Sequence, residues 1–312
     1  MTPEIAVVVP THNRVRLLAA TLRSVLSQRD VALEAIVVDD GSCEDVAGLI
    51  GTLRDPRVRA VRHDSPLGVS IARNRGALEA RAAWLAFCDD DDLWAPDKLA
   101  CQLAAARAAR RTWAYGGAVH VNAATRLMSV APLPSPDRLV ATLPRWNLVP
   151  GGSSNVIVQA DVFRRAGGWD PTLINLADWE LWARLAREGP PACVDAPLVA
   201  YRIHHANASA DTGLILREAR VLDRRYGGTL DYGELHHYLA WVYLRCGRRR
   251  PAVRHLASAA ARGHIRDVAR TIVSLAPQRA AKQVPALGRR PSEQSPWAAQ
   301  AESWLAPLRG GT

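Results

Sequence analysis

A chain of 312 residues, 48% hydrophobic and 22% charged, is long enough for one large domain or two ordinary ones and excludes wholesale disorder. Its five cysteines (Cys43, Cys88, Cys101, Cys193, Cys246) form no CxxC pair and no zinc-ligand spacing, which argues against a disulfide scaffold or zinc module and for a reduced setting. The net charge of +10 is uneven, because residues 1–212 hold 23 Lys+Arg and 23 Asp+Glu whereas residues 213–312 hold 17 and 7.

Ile5–Val9 is a β-branched run that reads as a strand, followed by a helix over Arg14–Gln28 with Leu17, Leu18, Leu22, Val25 and Leu26 on one face. Leu33–Val38 reads as a second strand, with a helix from about Glu44 to Leu53. Val58–Arg62 reads as a third, with a helix over Ser70–Arg81, and residues 84–88 as a fourth. This alternation predicts parallel strands, right-handed crossovers and helices on both faces of a sheet. Ligands of such sheets sit at strand carboxyl ends, which singles out the loops after Val9, Val38 and Cys88.

The middle third is less regular. Tyr115–Asn122 and Arg126–Ala131 read as a hairpin, and a linker punctuated by Pro132, Pro134 and Pro136 follows. Gly151-Gly152-Ser153-Ser154 precedes a short strand over Asn155–Gln159. Helices are expected over Asp161–Ala166 and Asp178–Glu188, with a strand broken by Pro197 over Val194–Tyr201. After Thr212 the pattern changes to successive helices over about 213–226, 231–246, 250–262 and 264–275, punctuated by Gly227-Gly228, Gly247 and Gly263. From Pro277 onward, Pro, Gln, Arg and Gly dominate, and a mobile tail is expected.

Four consecutive acids, Asp89-Asp90-Asp91-Asp92, close the fourth strand. Like charges this close repel, so a compensating cation is expected; a divalent ion shared with substrate phosphates would serve, and a solvated acidic turn is the plainer alternative. Pro10-Thr11-His12-Asn13-Arg14 follows the first strand, where N-capping accounts for Thr11 or Asn13 as well as ligand contact does. Asp39-Asp40-Gly41-Ser42 follows the second strand and offers three acceptors where a helix cap needs one. Arg73 is placed either to pair with a diphosphate or to lie on the surface.

Together these loops resemble the nucleotide-sugar half of a family-2 glycosyltransferase of the GT-A fold, an α/β, Rossmann-like, mostly parallel sheet with helices on both faces. The match is carried by Val7-Val8-Val9-Pro10-Thr11-His12-Asn13-Arg14, Val37-Val38-Asp39-Asp40-Gly41-Ser42, Ala72-Arg73-Asn74-Arg75-Gly76 and Phe87-Cys88-Asp89-Asp90-Asp91-Asp92. The resemblance implies a domain over 1–212, with a nucleotide-binding half over 1–100 and an acceptor half over 101–212. A helical appendage over 213–276 and a flexible tail over 277–312 would follow. It further implies that Pro10, Thr11, Asn13, Arg14, Asp39, Asp40, Arg73, Asp89 and Asp90 line the nucleotide-sugar site. Asp91 would hold Mn2+ or Mg2+ as the acid of a DxD motif.

Gly167-Gly168-Trp169-Asp170-Pro171 resembles the family's GGFDE-type turn, and Asp178-Trp179-Glu180-Leu181-Trp182 resembles its (E/D)D-x-(E/D)-L-W helix. The implied catalytic base is Asp178, with Glu180 in reserve; Ala177 stands where the family carries a first acid. Tyr201-Arg202-Ile203-His204-His205 resembles a closing segment whose histidine reaches the metal or diphosphate, with His204 the better fit and His205 the next. The implied reaction is an inverting transfer from a nucleotide-diphosphate sugar, UDP-linked by preference, to an unidentified hydroxyl acceptor in polysaccharide or glycoconjugate synthesis.

Competing readings are a nucleotidyltransferase, disfavoured because Pro10–Arg14 holds no glycine-rich phosphate loop, and a dehydrogenase, which lacks GxGxxG. A non-catalytic scaffold working through its basic tail is kept alive by Ala177. Nothing suggests nucleic acid as a partner, whereas the basic segment 213–312 suits an anionic membrane or an acidic protein. Met1-Thr2-Pro3-Glu4 has no basic n-region and Ala6–Val9 is too short for a signal core, so a cytoplasmic protein, peripheral at most at the inner membrane face, is expected.

Overall fold

The structure is a computed structural model that describes residues 2–204, 211–275 and 296–309. Its centre is a nine-stranded sheet in the order β3-β2-β1-β4-β8-β6-β9-β5, with β7 paired to β6. The first four strands are β1 (Ile5–Thr11), β2 (Leu33–Asp40), β3 (Val58–His63) and β4 (Trp84–Phe87), and all pair in parallel. Every residue of β1 is buried, as a strand covered on both faces requires.

Helices α1 (Val15–Leu26), α2 (Val46–Leu53) and α3 (Val69–Glu79) make the crossovers. On α1 it is Leu18, Leu22 and Val25 that turn fully inward. α3 lies so close to the sheet that a Cβ on Gly76 would collide with a Val8 methyl. Any side chain there would push the helix, and Arg73 with it, off the strands.

The remaining strands are β5 (Leu93–Trp94), β6 (Trp113–Asn122), β7 (Leu127–Val130), β8 (Ile157–Gln159) and β9 (Ala192–Ile203). β8 runs antiparallel to both β4 and β6, and β5 antiparallel to β9, so the parallel pattern expected throughout gives way to a mixed one beyond β4. The expected hairpin is β6 and β7, and the break at Pro197 is a register shift of β9 against Gly116 and Gly117. Helices α4 (Lys98–Ala108), α5 (Pro136–Thr142), α6 (Ala160–Arg165) and α7 (Ala177–Glu188) cover this half. α4 does not stand out as amphipathic in the sequence because two of its inward positions are polar, Lys98 and Gln102, both fully buried.

The four expected helices after Thr212 are present as α8 (Thr212–Arg225), α9 (Tyr232–Arg245), α10 (Arg249–Ala261) and α11 (Ile265–Leu275). The first two are less separate than an appendage would be. Ile215, Ala219 and Leu222 of α8 and Leu235 and Leu239 of α9 belong to the same apolar cluster as Ala6, Val8 and Phe87 of the sheet. α10 and α11 contribute instead to a small cluster of Ala240, Leu256, Ala259 and Val268.

The expectation of a flexible tail from residue 277 fails over α12 (Pro296–Leu305), a helix that packs onto the sheet through Ala301, Trp304 and Leu305. Gly117 makes room for it, since a Cβ there would meet the Trp297 ring. A proline- and arginine-rich composition on either side hides this short apolar helix from a compositional reading. No helix among the described residues is long and apolar enough to cross a membrane.

Candidate active site

The carboxyl ends of β1, β2 and β4 meet the loop before β8, the N-terminus of α7 and the end of β9 around the acid cluster. Each of the four aspartates has its own set of partners. Asp89 Oδ1 accepts from Arg73 Nη2 at 2.5 Å, and its Oδ2 accepts from Ser153 Oγ at 2.9 Å. Asp90 is buried; Thr11 Oγ1 donates to its Oδ2 at 2.7 Å and Arg14 Nη1 to its Oδ1 at 3.2 Å. Asp91 Oδ2 receives Arg14 Nη1 at 3.0 Å and lies 2.9 Å from His204 Nε2. Arg14 therefore spans Asp90 and Asp91 and supplies part of the positive compensation that the cluster requires.

Burial, with the charge of Asp91 next, pushes the Asp90 carboxyl up to about 7. Burial pulls the Arg14 guanidinium down, but the charges of Asp90 and Asp91 outweigh it and hold Arg14 above its usual range.

Asp92 has a different task. It is fully buried, accepts from Ser154 Oγ at 2.5 Å and from the Arg202 N–H at 3.0 Å, and so ties the loop before β8 to the end of β9. Burial drives its carboxyl well above the usual carboxylate range. Ser154 Oγ in turn accepts from the Asp89 N–H at 3.0 Å. The Gly152–Asn155 3-10 turn thus holds two of the four acids, a role not evident from Gly151-Gly152-Ser153-Ser154 as a sequence.

The loops after β1 and β2 are stitched to each other. Asn13, held at φ 54°, donates its N–H to Ser42 Oγ at 3.0 Å and accepts from the Cys43 N–H at 2.7 Å. Pro10 is buried in β1 opposite Val38. Asp39 is also buried, accepting from the Ser42 N–H at 2.8 Å and pairing with Arg62. Asp40 Oδ1 accepts from His63 Nδ1 (2.7 Å) and the Leu67 N–H (2.9 Å), and its Oδ2 accepts from the Gly68 N–H at 2.8 Å. Burial alone would raise Asp40, but His63 and those two amides hold it below the ordinary value. Asp39 and Asp40 are thereby occupied in tying the loop after β2 to β3 and to the start of α3, and any ligand donor would have to share Asp40 Oδ2 with Gly68.

Arg73 is buried, its guanidinium 4.5 Å above the Trp169 ring and 2.9 Å from Ser153 Oγ. Near this group is Asp178, half-buried in the first turn of α7. Its Oδ1 accepts from the Trp179 N–H at 2.7 Å, and a Cβ on Gly152 would stand 3.5 Å from its Oδ2. Burial pushes the Asp178 carboxyl up to about 6, with Arg73 opposing and Asp89 adding to the rise. Ala177 is fully buried in the core, which leaves Asp178 as the acid of that pair.

Glu180, the reserve candidate, is engaged in the core. It is buried and clamped by Arg184 (2.5 Å) and by Arg225 of α8 (2.9 Å), so it joins two helices. His205 lies outside the described residues. Two features go beyond the sequence reading. Glu218 of α8 is buried and accepts from the N–H groups of Ile174 (2.8 Å), Asn175 (2.9 Å) and Leu176 (2.9 Å), capping the turn that leads into α7. Arg225 also pairs with Asp170 at 2.9 Å. Neither Glu218 nor Arg225 carries a local sequence signal, since each acts 40 or more residues away from its partners.

The model of glycosyl transferase family 2 matches residues 6–166, half of the chain, and contains the four loop blocks described above. The chain belongs to glycosyl transferase family 2. Among its relatives is the succinoglycan biosynthesis protein ExoO of Rhizobium meliloti, 37% identical over 97 residues, covering 31% of this chain and 28% of that protein. Across five curated relatives the alignments span 14% to 37% of their lengths.

The fold is similar to that of S. aureus TarS 1-349 solved with UDP-GlcNAc (TM-score 0.57, 14% identity, 78% of this chain and 72% of that one). It is also similar to the mannosyltransferase PcManGT of Pyrobaculum calidifontis solved with GDP-Man and Mn2+ (TM-score 0.53, 18% identity, 88% and 80%). These likenesses establish a GT-A-like fold for this family 2 chain.

Proposed function

We propose that this chain is an inverting glycosyltransferase that moves a sugar from a nucleotide-diphosphate donor, UDP-linked by preference, to an acceptor hydroxyl in polysaccharide or glycoconjugate synthesis. The observation that carries this reading is Asp178, a half-buried carboxylate held at about 6 and close enough to the Arg73–Asp89 pair to be acted on by both charges. Nucleotide sugars bound to TarS and PcManGT support the donor class, and the succinoglycan relative supports the biosynthetic setting.

In this reading Thr11, Asn13 and the Asp39–Asp40 turn shape the nucleotide wall, while Arg14, Arg73, Asp89 and Asp90 border the ribose and diphosphate. The Asp178 carboxylate takes the acceptor proton as the acceptor oxygen bonds to C1 and the C1–O bond to the diphosphate breaks. The products are the inverted glycoside, the nucleoside diphosphate and a protonated Asp178. With a value near 6, the group is ionised at neutral pH yet basic enough to share the proton in the transition state.

The residues present suit a divalent cation. Asp91 Oδ2 and His204 Nε2 stand 2.9 Å apart, close to the ~3.0 Å edge of an octahedron with bonds of ~2.1 Å. The Asp91 carboxylate oxygen suits either hard ion, and the imidazole nitrogen beside it favours Mn2+ over Mg2+. Asp91 and His204 would hold the ion, which when bound supplies charge neutralisation of the leaving diphosphate.

The test is release of nucleoside diphosphate by the full chain from a panel of UDP-, GDP- and dTDP-sugars, with and without Mn2+. Release from one nucleotide class, dependent on the ion and lost in Asp178→Asn while nucleotide binding persists, is the expected result. If no donor is consumed or bound under any condition, the reading fails.

A further inference from the structure

The basic excess of the C-terminal third has a location in the fold, and it coincides with apolar residues that nothing described covers. Ile265, Ile272 and Val273 of α11 are 65%, 55% and 74% exposed, and Ala269 is exposed between them. The spacing i, i+4, i+7, i+8 places all four on one side of the helix. Val268, one turn from both Ile265 and Ile272, marks the inner edge of this row and is buried against Ala240, Leu256 and Ala259, while Thr271 on the inward side meets His237. On α10, Val253 is 63% exposed in a shallow depression that it shares with Arg249, Arg250 and Arg254. On α11, Arg266 and Arg270 alternate with the apolar row. Arg270 pairs with Asp267 at 3.1 Å, yet its side chain remains 79% exposed.

We infer that the outer face of α10 and α11 docks on an anionic lipid surface. The inference goes beyond the catalytic reading and stands without it. A helix with β-branched side chains along one face and arginines beside them is suited to lie in the plane of a bilayer interface. Its apolar row enters the acyl boundary while the guanidinium groups reach back to headgroup phosphates. An acidic protein partner would account for the arginines but not for the projecting apolar row. Charge complementarity is local, because residues 1–212 carry no net charge and the whole excess lies beyond them. α10 and α11 are linked through Ala240 of α9 to the helices that share the core of the sheet.

The experiment is vesicle sedimentation of the full chain with phosphatidylcholine alone or with about 30% phosphatidylglycerol, at low and high salt. Binding at least about tenfold stronger to the anionic vesicles, weakened by salt, is expected. Ile272→Asp/Val273→Asp and Arg266→Glu/Arg270→Glu should each reduce the bound fraction about fivefold or more, with circular dichroism and Tm unchanged.

Equal affinity for both vesicle types, or for neither, overturns the proposal, as does wild-type binding by the Ile272→Asp/Val273→Asp variant. Binding to polyglutamate without binding to vesicles would identify an acidic protein partner instead. If Ile272→Asp/Val273→Asp lowers the Tm, or reduces the mass seen by light scattering, the row is covered by this chain or a second copy, and the proposal falls.

Discussion

His204 Nε2 stands 2.9 Å from Asp91 Oδ2 although 113 residues of chain separate them. The contact joins the acid cluster after β4 to the end of β9, and Asp92 reinforces it by accepting from the Arg202 N–H. In the proposed reading these two side chains, brought together by the fold, form a pre-organised pair of metal ligands. His204→Ala and Asp91→Asn should therefore each weaken the Mn2+-dependent part of nucleotide binding by about tenfold or more. Calorimetry with nucleotide, with and without Mn2+, reads this directly, and a variant that keeps the full Mn2+ enhancement would remove its residue from the metal site.

Asp178 makes two opposite demands on pH. As the proposed base it must be ionised, so the transfer rate should fall on the acid side with an apparent midpoint near 6. Its folded value lies above the ordinary carboxylate value, so the fold favours the neutral form. The resulting stabilisation is present below about 4 and is lost as pH rises toward 6. Asp178→Asn should thus lower turnover by about 100-fold or more while raising stability at neutral pH by on the order of 1 kcal/mol. Paired rate and thermal-melt profiles check both signs.

The helix that carries Asp178 is held from outside the matched family segment. Glu218 accepts from three consecutive N–H groups just before α7, so truncating it leaves buried donors without their acceptor. Glu218→Ala should cost about 2–3 kcal/mol of stability and lower kcat more than it raises KM for the donor. Glu218→Gln, which keeps one acceptor oxygen, should recover part of both. Unchanged kcat in a destabilised Glu218→Ala protein would confine the residue to a structural role.

The first four strands and their loops were legible because their signals are local. An apolar strand, a polar loop and an amphipathic helix repeat, and the acids of Asp39–Asp40 and Asp89–Asp92 fall at strand ends, where the topology puts ligands. Adjacency in sequence did not separate their duties, however. Asp92 differs from Asp91 only through contacts with Ser154 and Arg202, which lie 62 and 110 residues away. Glu180 looked like a reserve base until Arg184 and Arg225 were seen to enclose it. Helices α8 and α9 looked like an appendage because helical periodicity reports which face is apolar, not which core it joins.

Lys98 shows the same limit in a single side chain. It is fully buried, its ammonium lies 3.9 Å over the Trp94 ring, and among the described residues no hydrogen-bond partner reaches it. Burial pulls it down to about 7. The unfolded chain holds this proton up to about pH 10, so folding releases it between roughly 7 and 10, and stability should rise with pH across that window. Below about 7 both states are protonated and this contribution is constant. Lys98→Met keeps the length of the side chain without the charge. It should be neutral or stabilising at pH 7, by up to about 2 kcal/mol, with the advantage shrinking toward pH 10. Thermal melts of both proteins across that range test the assignment, and a Met variant that is less stable at pH 7 than at pH 10 relative to wild type would mean that Trp94 compensates the buried charge.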